Sequence, residues 1–123
     1  METVAITWMD APEKHDYQAA YDYLTLIYPP KVAKNAVAKL KEGEVSTRKA
    51  KDVIRASGLS VLSSDNVHVQ GNLAKAKSGK TLSPVLLVRT GKKLVIADGY
   101  HRACAAYYAS EDTNVSCVLV TLD

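Results

Sequence analysis

The residues best equipped for chemistry stand together at Asp98-Gly99-Tyr100-His101-Arg102. Arg102 carries a planar fork of N–H donors that matches two phosphate oxygens. His101 titrates near neutrality, so it can donate to a phosphate or move a proton. Gly99 lets the chain reverse and lets a ligand approach the backbone, because it has no Cβ. Asp98 would repel a bare phosphate. It fits if it caps a helix, pairs with His101 or Arg102, or holds a magnesium ion that bridges to the phosphate. In a catalytic reading Asp98 and His101 do the work, with Asp98 as base or metal ligand. In a plain structural reading Asp98 caps and Arg102 pairs with it. The Gly-x-x-x-x-Gly-Lys pattern of a P-loop and the glycines of a dinucleotide fingerprint are both missing.

The elements around this cluster decide what it can do. Leu94 to Ala97 is an apolar run that reads as a strand, and Tyr100 to Ser110, rich in alanine, reads as a helix. A helix that starts at Tyr100 directs the unpaired N–H groups of Gly99 to His101, and a partial positive charge, at one point, which is a phosphate site. Upstream, Pro84 to Val88 reads as a buried strand that pairs with Leu94 to Ala97 through a turn at Thr90-Gly91-Lys92-Lys93. Val115 to Leu122 is a further strand, and Val69 to Lys77 a short helix with Gly71 inside it.

The first 58 residues read as three helices. One runs from Tyr17, capped by Asp16, to the break at Pro29-Pro30. The second spans Lys31 to Lys41 and closes at Gly43. The third opens at Ser46 or Thr47 and closes at Gly58. Val4 to Met9 fits a short strand. Gly58 to Asn66 is a loop held down by Leu59, Val61 and Leu62. Helices early and strands late predict an α+β class, in a single domain over residues 1–123, with an N-terminal helical segment (1–58) and an α+β core (59–123).

The 123 residues suit one domain, and 47% apolar with 24% charged is a globular composition. No apolar run reaches the roughly 20 residues needed to cross a bilayer. No basic patch followed by an apolar stretch opens the chain, so a secretory leader is not expected and the cytoplasm is. Cys104 and Cys117 are then expected as free thiols, with Cys104 a small core residue. His15, His68 and His101 show no zinc spacing. The net charge of +3 conceals an asymmetry: residues 1–30 carry −4, residues 31–102 carry +10 and residues 103–123 carry −3. The basic middle is either an anion-attracting surface or a solvated face, and Lys75, Lys77 and Lys80 crowd the approach to Pro84.

The stretch Ser83-Pro84-Val85-Leu86-Leu87-Val88, then Gly91, then Leu94 through Ala106 resembles the ParB/sulfiredoxin superfamily. The shared pattern is a proline-led strand, a short hairpin, a second strand and a Gly-x-x-Arg helix start followed by small residues. The segment Leu62 to Val69 resembles the one that precedes the first helix of a ParB-like domain, so the likeness covers roughly residues 59–122. It implies a small mixed sheet with helices. It also implies that the turn binds nucleotide phosphates, such as those of CTP, ATP or ADP, and some relatives are described as nucleases. Carried over by position, Gly99, Tyr100, His101 and Arg102 would hold the phosphate, and the resemblance allows His68 to join them. Tyr100 stands where sulfiredoxin has its reactive cysteine, so sulfinic-acid reduction is not expected. Tyr100-His101 replaces the Glu-Arg of ParB, and the length leaves no room for ParB's later domains, so a full partitioning protein is not expected either. The expectation is a domain that binds nucleotide or nucleic-acid phosphate at Asp98 to Arg102. Its enzymatic form would be a nuclease, or a kinase or phosphohydrolase assisted by magnesium. Its partners would be nucleotide and DNA, with no membrane. The alternative is a non-catalytic DNA-associated or protein-interaction module of the same fold.

Overall fold

A computed structural model describes residues 4–122; the outermost residues of the expected domain, 1–3 and 123, lie outside the described residues. The elements in chain order are α1 (Lys14–Leu24), α2 (Pro30–Glu42), β1 (Val45–Lys49), α3 (Ala50–Ser57), α4 (Val67–Lys77), β2 (Val85–Thr90), β3 (Lys93–Asp98), α5 (Tyr100–Ala109) and β4 (Asn114–Leu122). They form an α+β fold around one four-stranded mixed sheet of order β1-β4-β2-β3. β2 and β3 are an antiparallel hairpin, β2 and β4 are parallel, and β1 runs antiparallel to β4. α5 lies in the connection from β3 to β4 and packs mainly on α4 and α3.

Helices cover both faces of the sheet. In β2, Val85 and Leu87 face α3, α4 and α5 together with Ile96, Val115 and Cys117. The alternate residues Leu86 and Val88 face α1 and α2, beside Val95, Ala97 and Val118. That double burial explains why β2 is a continuous apolar run, since a strand covered on both faces has no polar side. Alanines at Ala103, Cys104-flanking Ala105 and Ala106 are fully buried, and their small size lets α5 lie close against its neighbours. Cys104 and Cys117 are both buried and free. Among the described residues no helix is long and apolar enough to cross a membrane.

Three expectations are corrected. Residues 45–49 form an edge strand, and the third helix starts only at Ala50. There the Ala50 and Lys51 N–H groups donate to the Thr113 and Glu111 carbonyls. Val45 and Thr47 are β-branched and suit a strand, but every residue of β1 is exposed, so no apolar alternation marks it. As a result the first 58 residues are not purely helical: they supply one strand to the sheet that residues 85–122 complete. Finally, α1 starts at Lys14, and Asp16 is not its cap. Asp16 sits inside the first turn, where its Oδ2 accepts the Glu13 N–H at 3.0 Å. Between Val4 and Met9, Trp8 makes only an isolated parallel bridge to Leu82.

Candidate functional site

β3 ends at Asp98 and α5 starts at Tyr100, so the whole reversal falls on Gly99. Its φ of +102° belongs to the region that favours glycine. A Cβ there would also lie 2.8 Å from Arg102 Nη2 and 3.0 Å from Val85 Cγ2. Gly99 thus permits the turn and makes room for the guanidinium folded against it.

Arg102 is tied down by oxygen atoms from three parts of the chain. Nη2 lies 3.1 Å from Asp98 Oδ2 and donates to the Pro84 carbonyl at 3.3 Å. Nη1 lies 3.7 Å from Oδ1 of Asp16, a carboxylate from α1 that is only 1% exposed. Nε is buried and finds no acceptor among the described residues. Burial pushes the Asp98 carboxyl above its ordinary range. Arg102 opposes that push, and the neighbouring Asp16 adds to it. Asp98 therefore pairs with Arg102 and does not cap α5, whose N-cap, Gly99, offers no side chain.

The N–H groups of Tyr100, His101 and Arg102 have no partner among the described residues. The helix start that carries them borders, through Gly99, His101 and Arg102, a cleft of about 440 Å³ between α5 and α4. From α4 come His68, Asn72 and Lys75, spaced four and three residues apart and so stacked on one face of the helix. Gly71 on the same face adds room. The His68 and His101 rings lie 4.7 Å apart between centroids. Burial first, then His68 and Arg102, hold the His101 imidazole below its ordinary pKa, so it is neutral at pH 7. The other helix of the cleft, α4, has its first turn occupied: Asn66 Oδ1 accepts the His68 and Val69 N–H groups at 2.9 and 3.1 Å.

Of the residues expected at this site, His68, Asp98, Gly99, His101 and Arg102 line the cleft. Tyr100 does not line it. Its side chain turns to the other side, where the hydroxyl donates to the Ser60 carbonyl and the ring packs on the core. Asn72 and Asp16 were not anticipated as part of the site. Asn72 was findable from its helical spacing with His68 and Lys75. Asp16 reaches Arg102 only through the packing of α1 on β3, which no local pattern announces. Among the described residues Asp98 is the sole carboxylate on the cleft wall, and its oxygen already meets a guanidinium. That donor set does not suit a resident magnesium, which asks for free carboxylate oxygens in near-octahedral order. The metal-like grouping among the described residues is elsewhere, at Glu13, His15 and Asp16, where Asp16 is engaged by the Glu13 N–H and by Arg102.

Comparison with family models, with curated proteins and with solved structures matched this chain to none of them.

Proposed function

We propose that the α4–α5 cleft binds the phosphate of a nucleotide or nucleic acid, and that the chain is a ParB-like phosphate-binding module. The observation that carries this reading is the start of α5. Three unpaired N–H groups and a helix dipole meet the Lys75 ammonium and two imidazoles across a space large enough for a phosphate and part of a nucleoside. The Gly-x-x-Arg turn that carries the resemblance is the same turn. Arg102 plays a different part from the one the resemblance implies: it holds the turn in shape, and Lys75, His68 and the backbone at the start of α5 receive the anion.

Binding without turnover fits the wall best, because Asp98 is occupied by Arg102 and is poorly placed to serve as base or metal ligand. One observation favours a catalytic second reading. His101 is neutral at pH 7, is half-buried and borders the proposed phosphate position, which is what a proton-moving group requires.

Calorimetric titration of the intact chain with pyrophosphate, ATP, ADP, CTP and a short DNA, with and without magnesium, tests the proposal. At least one should bind, and Lys75→Ala should weaken it by about 1 kcal/mol, roughly fivefold. Failure of every one of these anions to bind at low salt would remove the reading. Product formation that disappears with His101→Ala would establish the catalytic form.

A further inference from the structure

A second opening lies at the far end of the β2–β3 hairpin. The α4–α5 cleft is at the Asp98 end of β3, and this groove is at the Lys93 end, about 17 Å of strand away. α3 is only eight residues long and ends at Gly58, so it covers part of the sheet face and no more. Beside it Leu87, Leu94 and Leu119 floor a groove of about 310 Å³, and Val53 and Ala56 of α3 form one wall. Leu94 and Leu119 are half-buried, so their outer sides meet solvent.

The opposite rim is cationic. Arg89 from β2, Lys92 from the turn and Lys93 from the start of β3 stand beside the aliphatic floor, and Arg48 of β1 joins the lining from the α3 side. Among the described residues none of the four is in an ion pair, whereas Lys49, Lys51, Arg55 and Arg102 all have carboxylate partners. Arg89 is held in place across the sheet by Nε and Nη2, which both donate to Thr121 Oγ1 at 3.2 and 3.1 Å. The single acid on the lining among the described residues, Asp52, lies on the α3 side and meets Arg55 at 3.3 Å. Charge is thus sorted along the groove: apolar floor in the middle, and three uncompensated cations, Arg89, Lys92 and Lys93, at the hairpin end.

We infer that this groove binds a small organic acid with an apolar body, an aliphatic carboxylate. Its chain would lie on Leu87, Leu94 and Leu119 and its carboxylate would lie among Arg89, Lys92 and Lys93. The volume is at the small end of the roughly 300–1,000 Å³ typical of small-molecule pockets, which suits a short chain and not a protein segment. The floor has no aromatic ring on which a nucleobase would stack.

Methyl NMR and calorimetry of the intact chain with octanoate, octanol and acetate test this. Octanoate should bind with saturable shifts at the Leu94 and Leu119 methyls, ahead of octanol, which lacks the charge, and acetate, which lacks the chain. Lys92→Ala combined with Lys93→Ala should weaken octanoate roughly fivefold or more with an unchanged melting temperature, because both residues are exposed. Ala56→Trp, at an exposed helix position on the wall, should fill the groove and abolish binding. Octanol binding as tightly as octanoate, octanoate shifts elsewhere on the surface, an Ala56→Trp chain that still binds, or no saturation at any soluble concentration would each overturn the inference. Pyrophosphate should not displace octanoate; if it does, the two openings are not separate sites and the inference also falls.

Discussion

Arg102 brings α1, the start of β2 and the end of β3 to one guanidinium, so its removal is foremost a structural event. Arg102→Ala would leave Asp16 and Asp98 as neighbouring carboxylates with no cation between them. Breaking a buried pair in this way typically costs 3–5 kcal/mol, and at a side chain 16% exposed the lower end, about 3 kcal/mol, is expected in denaturant unfolding. Arg102→Lys should recover only part, since one ammonium cannot meet Asp98, Asp16 and Pro84 together. An unchanged unfolding midpoint with collapsed anion affinity would return Arg102 to the ligand. His101 makes a prediction of opposite sign in two experiments. Its folded pKa lies below the unfolded value, so the unfolded chain takes up the proton first and the empty protein loses stability as pH falls below about 6.5. A bound dianion favours the charged imidazole, so sulfate, whose own charge is constant there, should bind more tightly over the same fall. His68, Lys75, Arg102 and Asp98 also face this cleft, and the trend should flatten in His101→Ala while surviving in part in His68→Ala. At this scale much was legible in the sequence. Asp98 and Arg102 are one helical turn apart and invite pairing, and Gly99 sits where the chain must reverse. The third oxygen at Arg102 was not legible, because it belongs to Asp16, distant in sequence and brought near only by tertiary packing.

α2 meets the sheet through Gly43, the residue after its last turn. Gly43 has an ordinary extended φ of −72°, so conformation does not require glycine there; space does. A Cβ would lie 2.5 Å from Val118 Cγ1. Gly43→Ala should therefore destabilise by overpacking, about 1–3 kcal/mol in thermal or denaturant unfolding, and Val118→Ala in the same chain should restore part of the loss. A neutral Gly43→Ala would mean that β4 yields at this point. The sequence identified this glycine as a helix stop, but not as a contact with a strand far ahead in the chain. The same distinction runs through the other elements. β2, β3, α5 and β4 were legible within a residue or two, because burial and propensity agree there. α4 was legible too, two residues short at its start, where Asn66 provides the cap. β1 was not, since an exposed edge strand of Val-Ser-Thr-Arg-Lys lacks the alternation that a half-buried strand displays.

The whole molecule is less divisible than its motifs. The ParB-like resemblance begins only near residue 59, yet the face formed by Leu86, Val88, Val95, Ala97 and Val118 is covered by α1 and α2. A chain beginning at Leu59 would expose that face and lose β1. It should show no cooperative melt and should bind a hydrophobic dye; a sharp melt from that fragment would mean that the second half is a domain by itself. The charge asymmetry and the α+β class were legible over the full length, but the interleaving of the halves was not, because strand order depends on which distant segments pair. That order, β1-β4-β2-β3, sets a timetable for synthesis. β4 is the last of the nine described elements, and it alone joins β1 to β2. A growing chain that leaves the ribosome at about 5–20 residues per second can form helices and the β2–β3 hairpin as they emerge. β1 has nothing to pair with until β4 follows it out, so the earliest strand made waits for the latest, and its charged Arg48 and Lys49 help keep that open edge from pairing with another nascent chain in the interval.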